Sequence, residues 1–334
     1  MLLTAVRDLV RPAFVFLVLT VGSIGIARAD ASGTVDEFAV IASVAAWAIA
    51  AAAVNDLADR RIDRVNLGHR PGRSLATGRL TPEIVVAVAA TAAVTSLVCA
   101  ALASWPTAAV MAVGMVLAAL YSAPGLGMSG RGLATSVLLP LVYVAVPYAA
   151  GRLSAGWSVD AVDALLVGGL YVSFVGRLML KDFRDEHGDR LFGKRTFLVR
   201  HGRATTCAVS GVLWWVGALL LVIPRDSFTI AAQWAMFGTI VVLQLRRISV
   251  DERGVDDVYW VAIVAICGRA TLVSLLIDAV TEMRGTPWWA WWLAQGIVTA
   301  STLHAVHRWT NACATNPARD AARAPLPTTA PLPT

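Results

Sequence analysis

This sequence predicts an all-α membrane bundle of about nine or ten transmembrane helices, and three observations carry that class. Hydrophobic residues fill 57% of the 334 positions and charged residues only 15%, far from the balance of a soluble globule. Apolar runs recur at close to the length a helix needs to cross a bilayer. Arginine and lysine fall unevenly between alternate loops, as the positive-inside rule requires of a multi-pass chain.

Taken in order, the expected spans are 13–30, 38–55, 84–104, 106–122, 133–151, 160–180, 204–223, 228–245, 257–279 and 288–306. The lead "MLLTAVRDLVRP" has no small-residue cleavage site close behind it, so it reads as an interfacial helix before a retained first span. Arg7, Arg11, the clusters Arg60 to Arg79 and Lys181 to Arg203, Arg131, Arg246, Arg247, Arg253 and Arg308 lie on one side. The other side holds Arg28, Arg152, Arg225 and Arg284, which places both termini in the cytoplasm of a multi-pass cell-membrane protein. Lipid headgroups thus account for the net charge of +6, with no nucleic acid partner. "YSAPGLGMSGRG" (121–132) is a Gly-rich turn, and "TPWWAWW" (286–292) an interfacial aromatic belt. Residues 1–308 form one transmembrane domain. Residues 309–334, ending "ARAPLPTTAPLPT", are expected to be a disordered cytosolic tail, because that composition cannot bury a core. Cys99, Cys207, Cys267 and Cys313 have neither metal-ligand nor disulfide spacing.

Two loops on the basic side carry the chemistry. In "VNDLADRRID" (54–63), a helix continuing from the second span sets Asn55, Asp59 and Asp63 on one stripe. Asp56 reaches the same stripe through offsets of three and seven. In "KDFRDEHGD" (181–189), Asp182, Asp185 and Asp189 repeat those offsets. Like charges so spaced repel, so folding alone is a poor reason for them. A divalent cation removes the difficulty, since hard ions take carboxylate and amide oxygens. Solvated helix ends are the plainer alternative, weakened because the two loops share both spacing and side.

Both ladders are interleaved with bases: Arg60, Arg61, Arg64, Arg70 and Arg73 in the first, Lys181, Arg184, Lys194 and Arg195 in the second. Carboxylates holding Mg²⁺ among cations make a site for a diphosphate. A greasy cavity above it would suit a diphosphate carrying a hydrocarbon chain, a prenyl diphosphate. The rival "GDRLFGKRT" (188–196) comes near a P-loop, but Arg195 stands where Ser or Thr belongs and no strand precedes it. His69, His187, His201, His304 and His307 form no cluster. Arg269, inside the ninth span, is expected to pair with an acid or a lipid headgroup.

At these residues the chain resembles a known family. "NDLADRRID" is similar to the NDxxDxxxD signature of the UbiA superfamily of intramembrane prenyltransferases, and "RPGRSLATGRLT" (70–81) resembles the segment that follows it. "KDFRDEHGDRLFGKRTFLVRHG" (181–202) resembles the second aspartate motif, and "RPAF" at Arg11 and "LYSAP" at Leu120 also fit. The resemblance covers about residues 5–280. It implies a central cavity, with Mg²⁺ bridging a prenyl diphosphate whose allylic C–O bond breaks before a nucleophile captures the cation. By position it makes Asn55, Asp59, Asp185 and Asp189 the foremost metal ligands, supported by Asp56, Asp63 and Asp182. Asp59, Asp185 and Asp189 are then catalytic, and Arg11, Arg70, Lys181 and Lys194 grip the diphosphate. Members usually have nine spans, so the region past about 280 is an addition or one span is miscounted. Ser129 stands where many members carry Lys, with Arg131 two residues on.

The function expected is a Mg²⁺-dependent prenyltransferase moving an isoprenoid chain from its diphosphate to an aromatic or lipid-like acceptor within the bilayer. Two alternatives remain. One is a membrane terpene cyclase using the same diphosphate site, and the other a non-enzymatic lipid-binding or transport protein.

Overall fold

The computed structural model describes residues 7–29, 34–67, 74–122, 133–156, 158–191, 193, 196–225, 227–251 and 254–316, and among them every regular element is helical. In chain order these are α1 (Pro12–Arg28), α2 (Thr34–Ala58), α3 (Arg60–Leu67), α4 (Pro82–Ala103), α5 (Trp105–Ser122), α6 (Leu133–Pro140) and α7 (Val146–Arg152). There follow α8 (Ala161–Met179), α9 (Asp182–Leu191), α10 (Phe197–Val222), α11 (Phe228–Val250), α12 (Asp257–Arg284) and α13 (Trp288–Ala314). Helix is the form that satisfies every backbone N–H and C=O inside one apolar segment. Among the described residues, eight helical stretches are long and apolar enough to cross a membrane. The 17-residue α1 is a shorter apolar helix. The 27-residue α13 falls outside the eight because Gln295, Thr299, Thr302, His304 and His307 dilute it.

Local chemistry sets the helix ends. Pro12 and Pro82 occupy first-turn positions, where their missing N–H costs nothing. Asp160 caps α8 with a reciprocal box: it accepts from the Asp163 N–H at 2.9 Å, and Asp163 accepts from the Asp160 N–H at 3.0 Å. Thr196 caps α10, which starts several residues earlier than hydropathy suggested. Exposed Trp288, Trp289 and Trp292 begin α13, as an aromatic belt would.

The helices close into a ring. α1 packs on α2, α7 and α12, α2 on α4, α8 on α10, and α11 between α10 and α12. Small residues permit the closest crossing, where a Cβ on Gly25 would lie 2.3 Å from the Tyr148 carbonyl oxygen and one on Gly151 would lie 2.2 Å from that of Gly22. Polar side chains hold the last helix: Gln233 donates to Thr299 at 2.9 Å and accepts from Ser274 at 2.7 Å, while Gln295 donates to the Ser274 carbonyl at 3.1 Å.

The expected tail boundary moves. α13 continues past Trp309 to Ala314, Cys313 is buried, and Asn316 donates to Asp256 at 3.1 Å. The helix runs on because its inner turns still have α12 and the loop before it to pack against. Residues 317–334 of the expected tail lie outside the described residues.

Candidate active site

The first acid ladder stays helical through a small break. α2 ends at Ala58 and α3 starts at Arg60, yet Asp59 N–H donates to the Asn55 carbonyl at 2.9 Å and Asp63 N–H to that of Asp59 at 2.8 Å. Unbroken i to i−4 bonding keeps Asn55, Asp59 and Asp63 on one stripe. The Asn55 amide nitrogen donates to Asp59 Oδ2 at 2.9 Å, which leaves the amide oxygen for another partner. Asp56 is 5% exposed and takes the guanidinium of Arg11. Arg11 has φ 49°, the one positive value among the described non-glycine residues, just before Pro12. Such a conformation costs about 1–2 kcal/mol and aims the side chain at the acid. Beneath this end, Leu9, Ala53, Leu75, Leu80 and Val85 form a small apolar cluster that ties the lead and the 74–80 turn to α2 and α4.

The second ladder rides on α9, and α9 packs against α3. The two acid-bearing helices therefore meet at one end of the bundle. Arg203 anchors α9. Its guanidinium bonds Asp257 at 2.6 and 2.9 Å and the Ile248 carbonyl at 3.0 Å, lies 4.8 Å from the Phe183 ring centre, and reaches Glu186 at 3.8 Å. Gly202, at φ 77°, kinks α10 immediately before it. Sequence reasoning counted Arg203 only as a topological charge. An acid, Asp257, opening an otherwise apolar span was the available signal.

Lys181, exposed in the turn before α9, lines a cavity of about 350 Å³. Its wall includes Phe14 and Tyr143, with ring centres 4.5 Å apart, and Phe174, 6.2 Å from Tyr143. Tyr143 sits in a π-helical turn, Leu141–Ala145, that follows Pro140 within a continuous span and rotates the helix there. Beyond Phe174 and Arg177 lies a narrower apolar pocket with Val21, Leu170, Trp214 and Trp234 on its wall. Arg177 and Arg269 both face the larger cavity. Of the two partners expected for Arg269, an acid or a lipid headgroup, the acid is not found: among the described residues, neither arginine has a carboxylate within ion-pairing distance. Arg269 lies midway along α12, and an arginine at mid-bilayer costs about 2.5–3.5 kcal/mol.

The remaining expected site residues divide into two groups. Asp63 and Asp182 lie on α3 and at the start of α9. The α9 backbone carries Asp185 and Asp189, but their side chains, like Arg70 and Lys194 entirely, lie outside the described residues. Among the described residues, no group of three or more His, Cys, Asp or Glu side chains is placed to hold a metal ion. The donors that are described, the Asn55–Asp59 pair above all, are hard oxygens at one helix end, and their chemistry fits Mg²⁺.

A multi-pass helical bundle with two acidic segments packed together beside a cation-lined cavity is the class this geometry defines. Residues 15–261 match the model of the UbiA prenyltransferase family, and the chain belongs to that family. It is a transferase of prenyl groups. No match is found among curated proteins. Solved structures share the fold at low identity, among them the following three. A UbiA homolog from Archaeoglobus fulgidus bound to GPP and Mg²⁺ is 15% identical, with TM-score 0.63, over 83% of this chain and 99% of that one. A digeranylgeranylglyceryl phosphate synthase is 16% identical, with TM-score 0.62, over 84% and 99%. The apo UbiA homolog from Aeropyrum pernix K1 is 16% identical, with TM-score 0.58, over 88% and 97%.

Proposed function

We propose that this chain is a Mg²⁺-dependent prenyltransferase that moves an isoprenoid chain from a prenyl diphosphate to an aromatic or lipid-like acceptor inside the membrane. The observation that carries it is the packing of α3 against α9 beside the cavity that begins at Lys181. Asn55, Asp59, Asp185 and Asp189 would hold the metal, with Asp56, Asp63 and Asp182 in support. Bound Mg²⁺ neutralises the diphosphate as it leaves. Arg11, Lys181, Arg70 and Lys194 grip the diphosphate oxygens. Phe14, Tyr143 and Phe174 offer ring faces to the allylic cation and keep water from it. The solved homologs bound to GPP or DMAPP with Mg²⁺ support a prenyl diphosphate donor here.

The test uses the full chain in nanodiscs with Mg²⁺, a panel of prenyl diphosphates, and phenolic acids or glycerolipids as acceptors, read by mass spectrometry. The expected result is Mg²⁺-dependent diphosphate release and a product heavier than the acceptor by one prenyl group. A hydrocarbon product without an acceptor would make the chain a cyclase. Absence of diphosphate release with every donor would leave a lipid-binding or transport role.

A further inference from the structure

Four arginines that tie segments of this fold together each have a carboxylate. Arg152 bonds Asp163 at 2.9 Å, Arg225 bonds Asp278 at 2.5 Å, Arg203 bonds Asp257, and Arg28 reaches Asp160 at 2.8 Å. Arg177 and Arg269 depart from this pattern. They come from α8 and α12, both face the cavity, and among the described residues neither meets an acid. Arg177 reaches toward α12 from across the cavity: a Cβ on Gly268, the neighbour of Arg269, would lie 3.5 Å from its Nη1. The Arg177 guanidinium carbon also lies 5.4 Å from the centre of the Phe174 ring, so an aromatic surface adjoins the charge. Among the described residues, no carboxylate lines the cavity.

We infer that Arg177 and Arg269 form a binding site for an anionic group, a carboxylate or a phosphate, on the acceptor substrate. This rests on the prenyltransferase reading and narrows it. Lys181 lies one helical turn beyond Arg177, about 6 Å along the axis, on the side toward α9. A donor diphosphate held at the aspartates and Lys181 leaves the deeper pair for a second anion. Guanidinium forks suit the planar or tetrahedral oxygens of such a group. The pair would then set the acceptor's head beside the aromatic wall, where the allylic cation forms.

The test is isothermal titration of the full chain in nanodiscs with two matched pairs of probes: benzoate against benzamide, and oleoylglycerol phosphate against monooleoylglycerol. Wild type should bind the anionic member of at least one pair about tenfold more tightly than the neutral one, and which pair responds separates a carboxylate from a lipid phosphate. Arg177→Gln and Arg269→Gln should each abolish that preference, Arg177→Lys should restore part of it, and Mg²⁺–geranyl diphosphate affinity should change less than threefold. Equal binding of charged and neutral probes by wild type overturns the inference. So does a large loss of geranyl diphosphate affinity in the glutamine variants, which would assign the pair to the donor. Failure of wild type to bind geranyl diphosphate, with the anion preference intact, would overturn the prenyltransferase reading instead.

Discussion

The two ends of α8 handle charge in opposite ways. At its start, Asp163 is 1% exposed and saturated: it accepts from the Tyr148 hydroxyl at 2.5 Å, Arg152 at 2.9 Å and the Asp160 N–H at 3.0 Å, with Arg28 at 3.6 Å. Near its finish, about 21 Å along the axis, Arg177 faces a cavity with no carboxylate among the described residues. Both arrangements cost desolvation, but the first recovers it within the fold. The second recovers it only when something anionic enters. Saturation marks the end that holds the bundle together, and the open end marks chemistry.

Substitutions at the two ends should therefore separate stability from turnover. Asp163→Ala strands Arg152 and the Tyr148 hydroxyl and leaves Arg28 with Asp160 alone, and should cost about 3–5 kcal/mol of stability, the scale for removing one member of a buried pair. Thermal unfolding in detergent reads it, and the protein that stays folded should keep near-normal kcat. At the other end, Asp59→Ala should leave unfolding nearly unchanged and lower kcat at least about a hundredfold, the scale of one lost transition-state stabiliser. If Asp163→Ala also abolished turnover in folded protein, the division between the two ends would fail. Arg203→Lys is the mildest change, since it keeps the charge and loses the fork that joins α9 to Asp257 and Ile248. About a tenfold fall in Mg²⁺ affinity is expected, as for residues that orient metal ligands, with little change in unfolding temperature.

The sequence exposed the acid ladder far better than the cavity beside it. Acids at offsets of three, four and seven are a local pattern, so Asn55, Asp59 and Asp63 could be placed on one stripe before any fold was known, and their backbone bonds agree. Span positions were equally legible, because lipid imposes apolar length directly. What stayed hidden depends on contacts between distant segments. Nothing local in the sequence singles out Arg177; its setting beside Gly268 and Phe174 exists only in the fold. Arg269 was legible as a charge in need of an acid or a lipid headgroup, and its cavity became visible only once α1, α8 and α12 enclosed it. The π turn at Leu141–Ala145 leaves no periodic trace in so uniformly apolar a stretch. The end of α13 was placed too early because the Pro-rich composition begins later than Trp309, at residues beyond the helix.

The two-ladder site is tested most directly by counting bound metal. Mn²⁺ in place of Mg²⁺ gives an electron paramagnetic resonance signal that distinguishes bound from free ion. With the full chain in nanodiscs, Mn²⁺ binding should become strong when geranyl diphosphate is added. It should fall at least tenfold in Asp59→Ala and equally in Asp185→Ala if, as proposed, one metal site draws on the junction of α2 and α3 and on α9 together. Undiminished diphosphate-dependent Mn²⁺ binding in either variant would contradict a site shared between the two acidic segments.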